Sequence, residues 1–280
     1  MGLIHSILMG LIQGLSEFLP ISSSAHLVFT SNFYKIFKGI QITQHSSQEV
    51  FLDIMLHFGT LVAVILFFRK EISELVCGFV DGIKAKNYGS IQFKYSVYII
   101  LGTLLTVIIA IPFSGVAEKI VFKPVIAGVL LIFTGFLLLF SEYKSKQYKE
   151  KHEITNKSSI LIGLAQGIAI LPGFSRSGLT IAAGLMSGTD RITAARYSFL
   201  LSIPIILGAS MIYPLWTIDF SEMRNYNWIS IIAGTLVSGV VGYLCIKYFL
   251  KFVSRFSLGV FGVYCILMGI FSALFFSLYS

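Results

Sequence analysis

Apolar residues in this chain do not recur with the period of an amphipathic helix or a half-buried strand. They come as long uncharged runs separated by short charged segments. Six runs, 54–68, 95–117, 124–141, 197–218, 225–246 and 256–280, predict helices that cross a bilayer. A crossing takes about 17 to 25 mostly apolar residues. The first run reaches that length only by taking in 51–53, which sets Asp53 near one interface.

Two further apolar regions, 1–34 and 158–188, are each cut by a proline-containing polar break. The breaks read FLPISSSAH, 18–26, and LPGFSRSGLT, 171–180, and neither flanking half is long enough to span. Non-helical backbone survives at membrane depth only where protein buries it or where it lines a wet cavity, so both regions are expected to be re-entrant helix hairpins that mark a site. The segments leading into the breaks match: GLIQGLSEFLP starts at Gly10 and GLAQGIAILP at Gly163, with Gln13 and Gln166 in the same place. The expected architecture is therefore an all-α integral membrane protein of six full transmembrane helices plus two re-entrant hairpins, related as an inverted-topology repeat. It would form a single membrane domain with a first half at 1–141, a basic cytoplasmic linker at 142–157 and a second half at 158–280.

Composition agrees. At 56% hydrophobic and 12% charged, the 280 residues lack the polar surface that a soluble chain turns to water. The net charge of +8 invites a nucleic-acid reading, but the Lys and Arg residues sit between apolar runs, so nucleic acid is not an expected partner. Segments 69–94 and 142–157 hold five Lys or Arg each, and Lys247, Lys251 and Arg255 form a third cluster. All three are expected to be cytoplasmic, with 37–50, 214–226 and both termini outside and the hairpins entering from opposite faces. No basic residue precedes Lys35, so the N-terminal segment is expected to be retained rather than cleaved as a leader. Cys77, Cys245 and Cys265 are scattered, as core residues rather than a metal cluster or disulfide framework.

The chemistry concentrates in the breaks. Gln13 and Glu17 are four apart and share a helix face. Ser22, Ser23 and Ser24 start a second half-helix, with His26 one turn on, and serines there also serve as N-caps. In the other break Ser175, Arg176 and Ser177 precede the helix that carries Thr180. An intramembrane guanidinium stays charged and needs an anion. Glu17 in a structural ion pair is one candidate, and a phosphate bound at two half-helix N-termini is the other and the better fit. His5, His45, His57 and His152 read as interfacial or loop residues. Asp190, Arg191 and Arg196 read as a helix cap and anchors of the cytoplasmic face. Stripes such as Gly234, Ser238 and Gly242 suit packing within the chain or in a homodimer.

The motifs GLIQGLSEFLPISSSAH and LPGFSRSGLT, with SFLLSIP at 198–204, resemble those of the bacterial undecaprenyl-diphosphatase family, the bacitracin-resistance type of lipid diphosphate phosphatase. The resemblance spans essentially the whole chain. It implies hydrolysis of undecaprenyl diphosphate to the monophosphate and inorganic phosphate, recycling the cell-wall lipid carrier from the outer side of the bacterial cytoplasmic membrane. Glu17, Ser23, His26 and Arg176 match the family's catalytic positions, with Gln13, Ser175, Ser177 and Thr180 expected to bind substrate. In this expectation Ser23 attacks the terminal phosphorus with help from His26 and Glu17. A directly attacking water, or Glu17 holding a divalent cation, Mg or Ca, would use the same residues; no organic cofactor is implied. The competing class is a lipid-phosphate flippase or transporter, since such a repeat equally builds alternating-access carriers.

Overall fold

The structure, a computed structural model, describes residues 2–39, 46–121, 123–217 and 222–278, so His45 and Asp219 lie outside it. The two breaks fall where the prolines put them. Helix α1 (Leu3–Ser16) stops before Pro20 and α2 (Ser23–Lys38) resumes beyond it. Helix α7 (Asn156–Ile168) stops before Pro172 and α8 (Arg176–Met186) follows. Each hairpin folds back so that its two halves touch.

Six helices are long and apolar enough to cross a membrane: α3 (Ser47–Phe67), α5 (Ile91–Ile120), α6 (Pro124–Ser145), α9 (Arg191–Thr217), α10 (Trp228–Val253) and α11 (Gly259–Ser277). The chain is a multi-pass, all-α membrane protein. Five of them run past the predicted run at one or both ends, because charged and capping residues extend them, and α11 lies within its run. Ser46 and Glu49 form a capping box that starts α3 several residues before its first uncharged stretch.

One element was not expected. Segment 69–94, legible as a charged loop, contains α4 (Arg69–Lys84). Ile72 and Leu75 pack on the core and Phe79 stacks on Phe93, an apolar stripe masked by the charges between its members. Arg196 reaches back to Glu71 and lies over the Phe68 ring, tying α4 to α9.

The helices pair across the halves in a repeated pattern. Helix α1 packs on α10 and α3, α7 packs on α5 and α8, α9 contacts α5 and α3, and α6 lies along α11. Glycines permit the close approaches. A Cβ on Gly10 would strike the Gly234 carbonyl, and one on Gly163 would lie 2.7 Å from the Gly102 carbonyl oxygen. Gly128 faces Gly269 and Gly135 faces Gly262 in the α6–α11 pair. Gly234, Ser238 and Gly242 face α1 and α3, and Ser238 donates to the Leu56 carbonyl, so that stripe is spent inside the chain.

Contacts between helix ends sort the bundle into two ends. Glu142 at the end of α6 holds Arg191 at the start of α9 through two hydrogen bonds of 2.8 and 2.6 Å, and accepts from the Leu258 N–H at the start of α11. Asp190 accepts from Ile192 and Thr193 as the cap of α9. His152 and Tyr148 bond the carbonyls that end α8. At the opposite end Lys35 meets Glu49 at 3.1 Å, and Phe51 packs on Tyr226 and Trp228. His5 lies against Tyr34 there with the rings tilted, while Ser159 bonds Tyr98 and Tyr197 at the first end, so the two hairpins open toward opposite ends. Fifteen of the 21 Lys and Arg residues lie at the end marked by Glu142 and five at the other.

Replacing Gly10 with Leu should force α1 off α10 and cost about 1–3 kcal/mol, lowering the thermal unfolding midpoint in detergent. Gly115→Leu, where a Cβ meets nothing within 4 Å, should leave it unchanged. Equal midpoints would contradict the packing described.

Candidate active site where the two helix breaks meet

Pro20 and Pro172 do more than stop helices: each leaves a short irregular segment whose polar groups need partners, and the two segments satisfy each other. Ser22 Oγ donates to the Phe174 carbonyl at 3.3 Å, and Ser177 Oγ to the Leu19 carbonyl at 2.9 Å. The Gly173 N–H donates to Ser24 Oγ at 3.3 Å. Phe18, fully buried with its edge on Phe199, anchors the first break to the core. Ser22 sits at φ 69°, a region rare for a residue with a Cβ, and is the N-cap of α2. Ser175 caps α8 in the same way, accepting from the Gly178 N–H at 3.0 Å. Both caps leave the N–H groups of the first helical residues, Ser23 and Ser24 on one side and Arg176 and Ser177 on the other, outside the helical ladder.

At the centre is the carboxylate of Glu17, whose side chain is 6% exposed. Arg176 Nη2 lies 2.7 Å from Oε1. The other oxygen accepts from Ser23 Oγ at 2.6 Å and from Gln13 Nε2 at 3.0 Å, and faces His57 Nε2 at 3.8 Å. The anion that Arg176 meets in this state is therefore Glu17. Its guanidinium has five N–H donors in all. One goes to Glu17 and another reaches the Ser198 carbonyl at a long 3.5 Å, leaving donors to face the cavity that Arg176 lines.

That cavity has a volume of about 500 Å³. Its polar floor is made by Glu17, Ser23, Ser24, Ser175, Arg176 and Ser177. Its walls are mainly apolar: Val50 and Ile54 of α3, Ala117 of α5 with Val121 just past its end, and Ile205 and Ile206 of α9. The volume falls in the range of pockets that hold an organic ligand. The α3 and α5 walls come from the helix ends opposite the Glu142 cluster and the α9 wall from the middle of that helix, so the cavity runs from mid-bundle toward the end poor in basic residues.

Of the eight residues singled out in the sequence, five line this cavity: Glu17, Ser23, Ser175, Arg176 and Ser177. Gln13 and Thr180 are fully buried behind it. Gln13 holds Glu17, and Thr180 bonds Ser198 Oγ at 2.6 Å and the Arg176 carbonyl at 2.8 Å, bracing the helix that presents Arg176. His26 is turned away. Its Nδ1 pairs with the Ser22 carbonyl at 2.8 Å, its Nε2 with the Tyr264 hydroxyl at 2.7 Å, and its ring stacks on Tyr264.

Sequence reasoning passed over His57, Asp53 and Glu118, all of which line the cavity. His57 had one available signal: it stands one turn after Asp53 in an otherwise uncharged run, where a lone imidazole needs a partner. His5, also read as interfacial, is buried in α1 beside a small second cavity shared with Glu49 and Asp53.

The family model described as bacitracin resistance protein BacA matches residues 6–271. The chain belongs to that family. Among curated members it is 37% identical to an undecaprenyl-diphosphatase of Nitrosococcus oceani over the full length of both chains. It is 39% identical to one of Halothermothrix orenii over 94% of each chain, and 37% identical to one of Methanosphaera stadtmanae over 96% of each. The matched span of the BacA model contains both breaks and every wall of the cavity.

Removing Arg176 strands a buried carboxylate, a loss of about 3–5 kcal/mol for a fully buried pair and less here because Arg176 keeps 17% of its side chain exposed. Arg176→Ala should therefore lower the unfolding midpoint, and the double variant Glu17→Gln/Arg176→Ala should recover most of the loss. A double variant no more stable than Arg176→Ala would contradict this account of the pair.

Proposed function

We propose that this chain is an undecaprenyl-diphosphatase, hydrolysing the terminal phosphate of the lipid diphosphate at the Glu17–Arg176 site and so regenerating the monophosphate carrier, the reaction that underlies bacitracin resistance. The observation that carries the reading is the floor of the cavity. A serine hydroxyl 2.6 Å from a carboxylate, an arginine, and two helix N-termini stand together beneath apolar walls. An apolar tail suits the walls and an anionic head suits the floor.

Ser23 is the first residue of α2, so its Oγ lies where the helix N-terminus favours developing negative charge. In this reading its proton passes to Glu17 Oε2 as Oγ bonds to the terminal phosphorus. Arg176 and the first-turn N–H groups of α2 and α8 stabilise the charge on the equatorial oxygens. Phosphoryl transfer goes through a loose transition state, so such positioning and charge stabilisation supply most of the rate. The lipid monophosphate leaves, and water then releases inorganic phosphate from Ser23. For Arg176 to bind the head, its grip on Glu17 must loosen as the phosphate arrives, and the proton that Glu17 then takes from Ser23 keeps the pair apart during transfer.

A divalent ion enters this reading with the substrate. Among the described residues no three His, Cys, Asp or Glu side chains converge to hold one, and the oxygens of Glu17 already accept from Arg176, Ser23 and Gln13. Mg or Ca is thus assigned as a counter-ion of the diphosphate, and no step is routed through it.

The end of the bundle at which the cavity opens carries five basic residues against fifteen at the other. The positive-inside rule puts the richer end in the cytoplasm. The site then faces the outer side of the cytoplasmic membrane, with both hairpins re-entrant.

Purified protein in detergent should release phosphate from undecaprenyl diphosphate. Ser23→Ala and Arg176→Ala should each lower the rate by about 10²–10³, and Arg176→Lys should not restore it because a point charge cannot replace the planar fork. Binding and transbilayer movement of the lipid without phosphate release would favour a flippase instead.

A further inference from the structure

The imidazole that a sequence reading places in the chemistry, His26, has both nitrogens occupied. A carbonyl can only accept, so His26 Nδ1 donates to the Ser22 carbonyl, and Nε2 is paired with the Tyr264 hydroxyl at 2.7 Å. A ring so held is satisfied at both nitrogens and is not among the residues that line the cavity.

His57 is the reverse case. Its Nδ1 lies 2.8 Å from the Asp53 carbonyl, which likewise fixes that nitrogen as a donor and aims Nε2 across the cavity. Nε2 has no hydrogen-bond partner at normal distance. It stands 3.8 Å from Glu17 Oε2, the oxygen that accepts from Ser23, and the side chain is 32% exposed and lines the cavity. The titratable groups that line the cavity with it are Glu17 at the end of α1, Arg176 of α8, Glu118 of α5 and Asp53 of its own helix. The cavity-lining residues of α9 and α2 are uncharged.

We propose that His57, rather than His26, is the proton-handling histidine of this site. The proposal rests on the phosphatase reading given above. As Ser23 Oγ bonds to the terminal phosphorus, its proton goes to Glu17 Oε2. The bond from that phosphorus to the bridging oxygen breaks, and His57 Nε2 gives its proton to this oxygen on the departing lipid monophosphate. Neutral His57 then takes a proton from the water that attacks the phosphoserine, and Glu17 returns its proton to Ser23 Oγ as the phosphate leaves. Both groups end the cycle as they began it.

The test is the pH dependence of kcat/KM for undecaprenyl diphosphate, which reports the ionisations of the free enzyme, in wild type, His57→Gln and His26→Gln. A donor must be protonated, so wild-type activity should fall on the alkaline side as His57 loses its proton. His57→Gln should lose that alkaline limb and be slower by about 10²-fold or more. His26→Gln should keep the limb whatever its rate. If His57→Gln keeps the limb, or His26→Gln loses it, the assignment is wrong. Absence of phosphate release by the wild type would instead overturn the phosphatase reading beneath it. Should His57→Gln fail to fold, nitrogen-15 imidazole titration of wild type, assigned by removing the other histidines, applies the same test. His57 must change protonation at the pH of the alkaline limb, and a ring that stays in one state there overturns the proposal.

Discussion

One buried carboxylate sets the arrangement on which the rest depends. Glu17 ends the first half-helix of one hairpin, and Arg176 starts the second half-helix of the other, and neither charge is tolerable at membrane depth alone. Their 2.7 Å contact therefore dictates that the two breaks meet. Once they meet, the remaining backbone groups of both breaks are shared through Ser22, Ser24 and Ser177. The pair does not maximise stability, since an apolar pair of the same shape would be easier to bury. It holds a serine, an arginine and two helix N-termini at one point, which an apolar pair could not do.

That point can exist only because the scaffold brings backbones unusually close. Gly10 against Gly234 and Gly163 against Gly102 let each short half-helix lie against a full span of the opposite half. The same exchange of partners brings the ends of α3 and α5 and the middle of α9 together as walls. The fold and the cavity thus have a common cause. Helices too short to cross must be buried by their neighbours, and the neighbours' ends then enclose what the breaks expose.

Much of this was legible in the chain. Uncharged run length gave the six spans, and proline within a polar break located both hairpins. The cost of an intramembrane charge singled out Glu17 and Arg176. What was not legible depended on three-dimensional neighbours. Helix α4 hid behind its charges, because Ile72, Leu75 and Phe79 form a stripe only once α5 and the core supply a surface for it. His26 stands next to the serines in sequence, but the helical turn carries its ring toward Tyr264. His57 lies far from both motifs, and only the packing of α3 beside α1 aims it at Glu17. Thr180 matched the family motif, and its hydroxyl bonds Ser198 and the Arg176 carbonyl, bracing the helix that presents Arg176.

The central claim is that the head of a lipid diphosphate binds where the two breaks meet. An experimental structure with a methylene-bridged, non-hydrolysable prenyl diphosphate analogue tests it most directly. The terminal phosphonate should lie within hydrogen-bond distance of Arg176 and Ser23, with the prenyl chain against Val50, Ile54, Ile205 and Ile206. A phosphonate bound elsewhere, with Arg176 still closed on Glu17, would contradict the account.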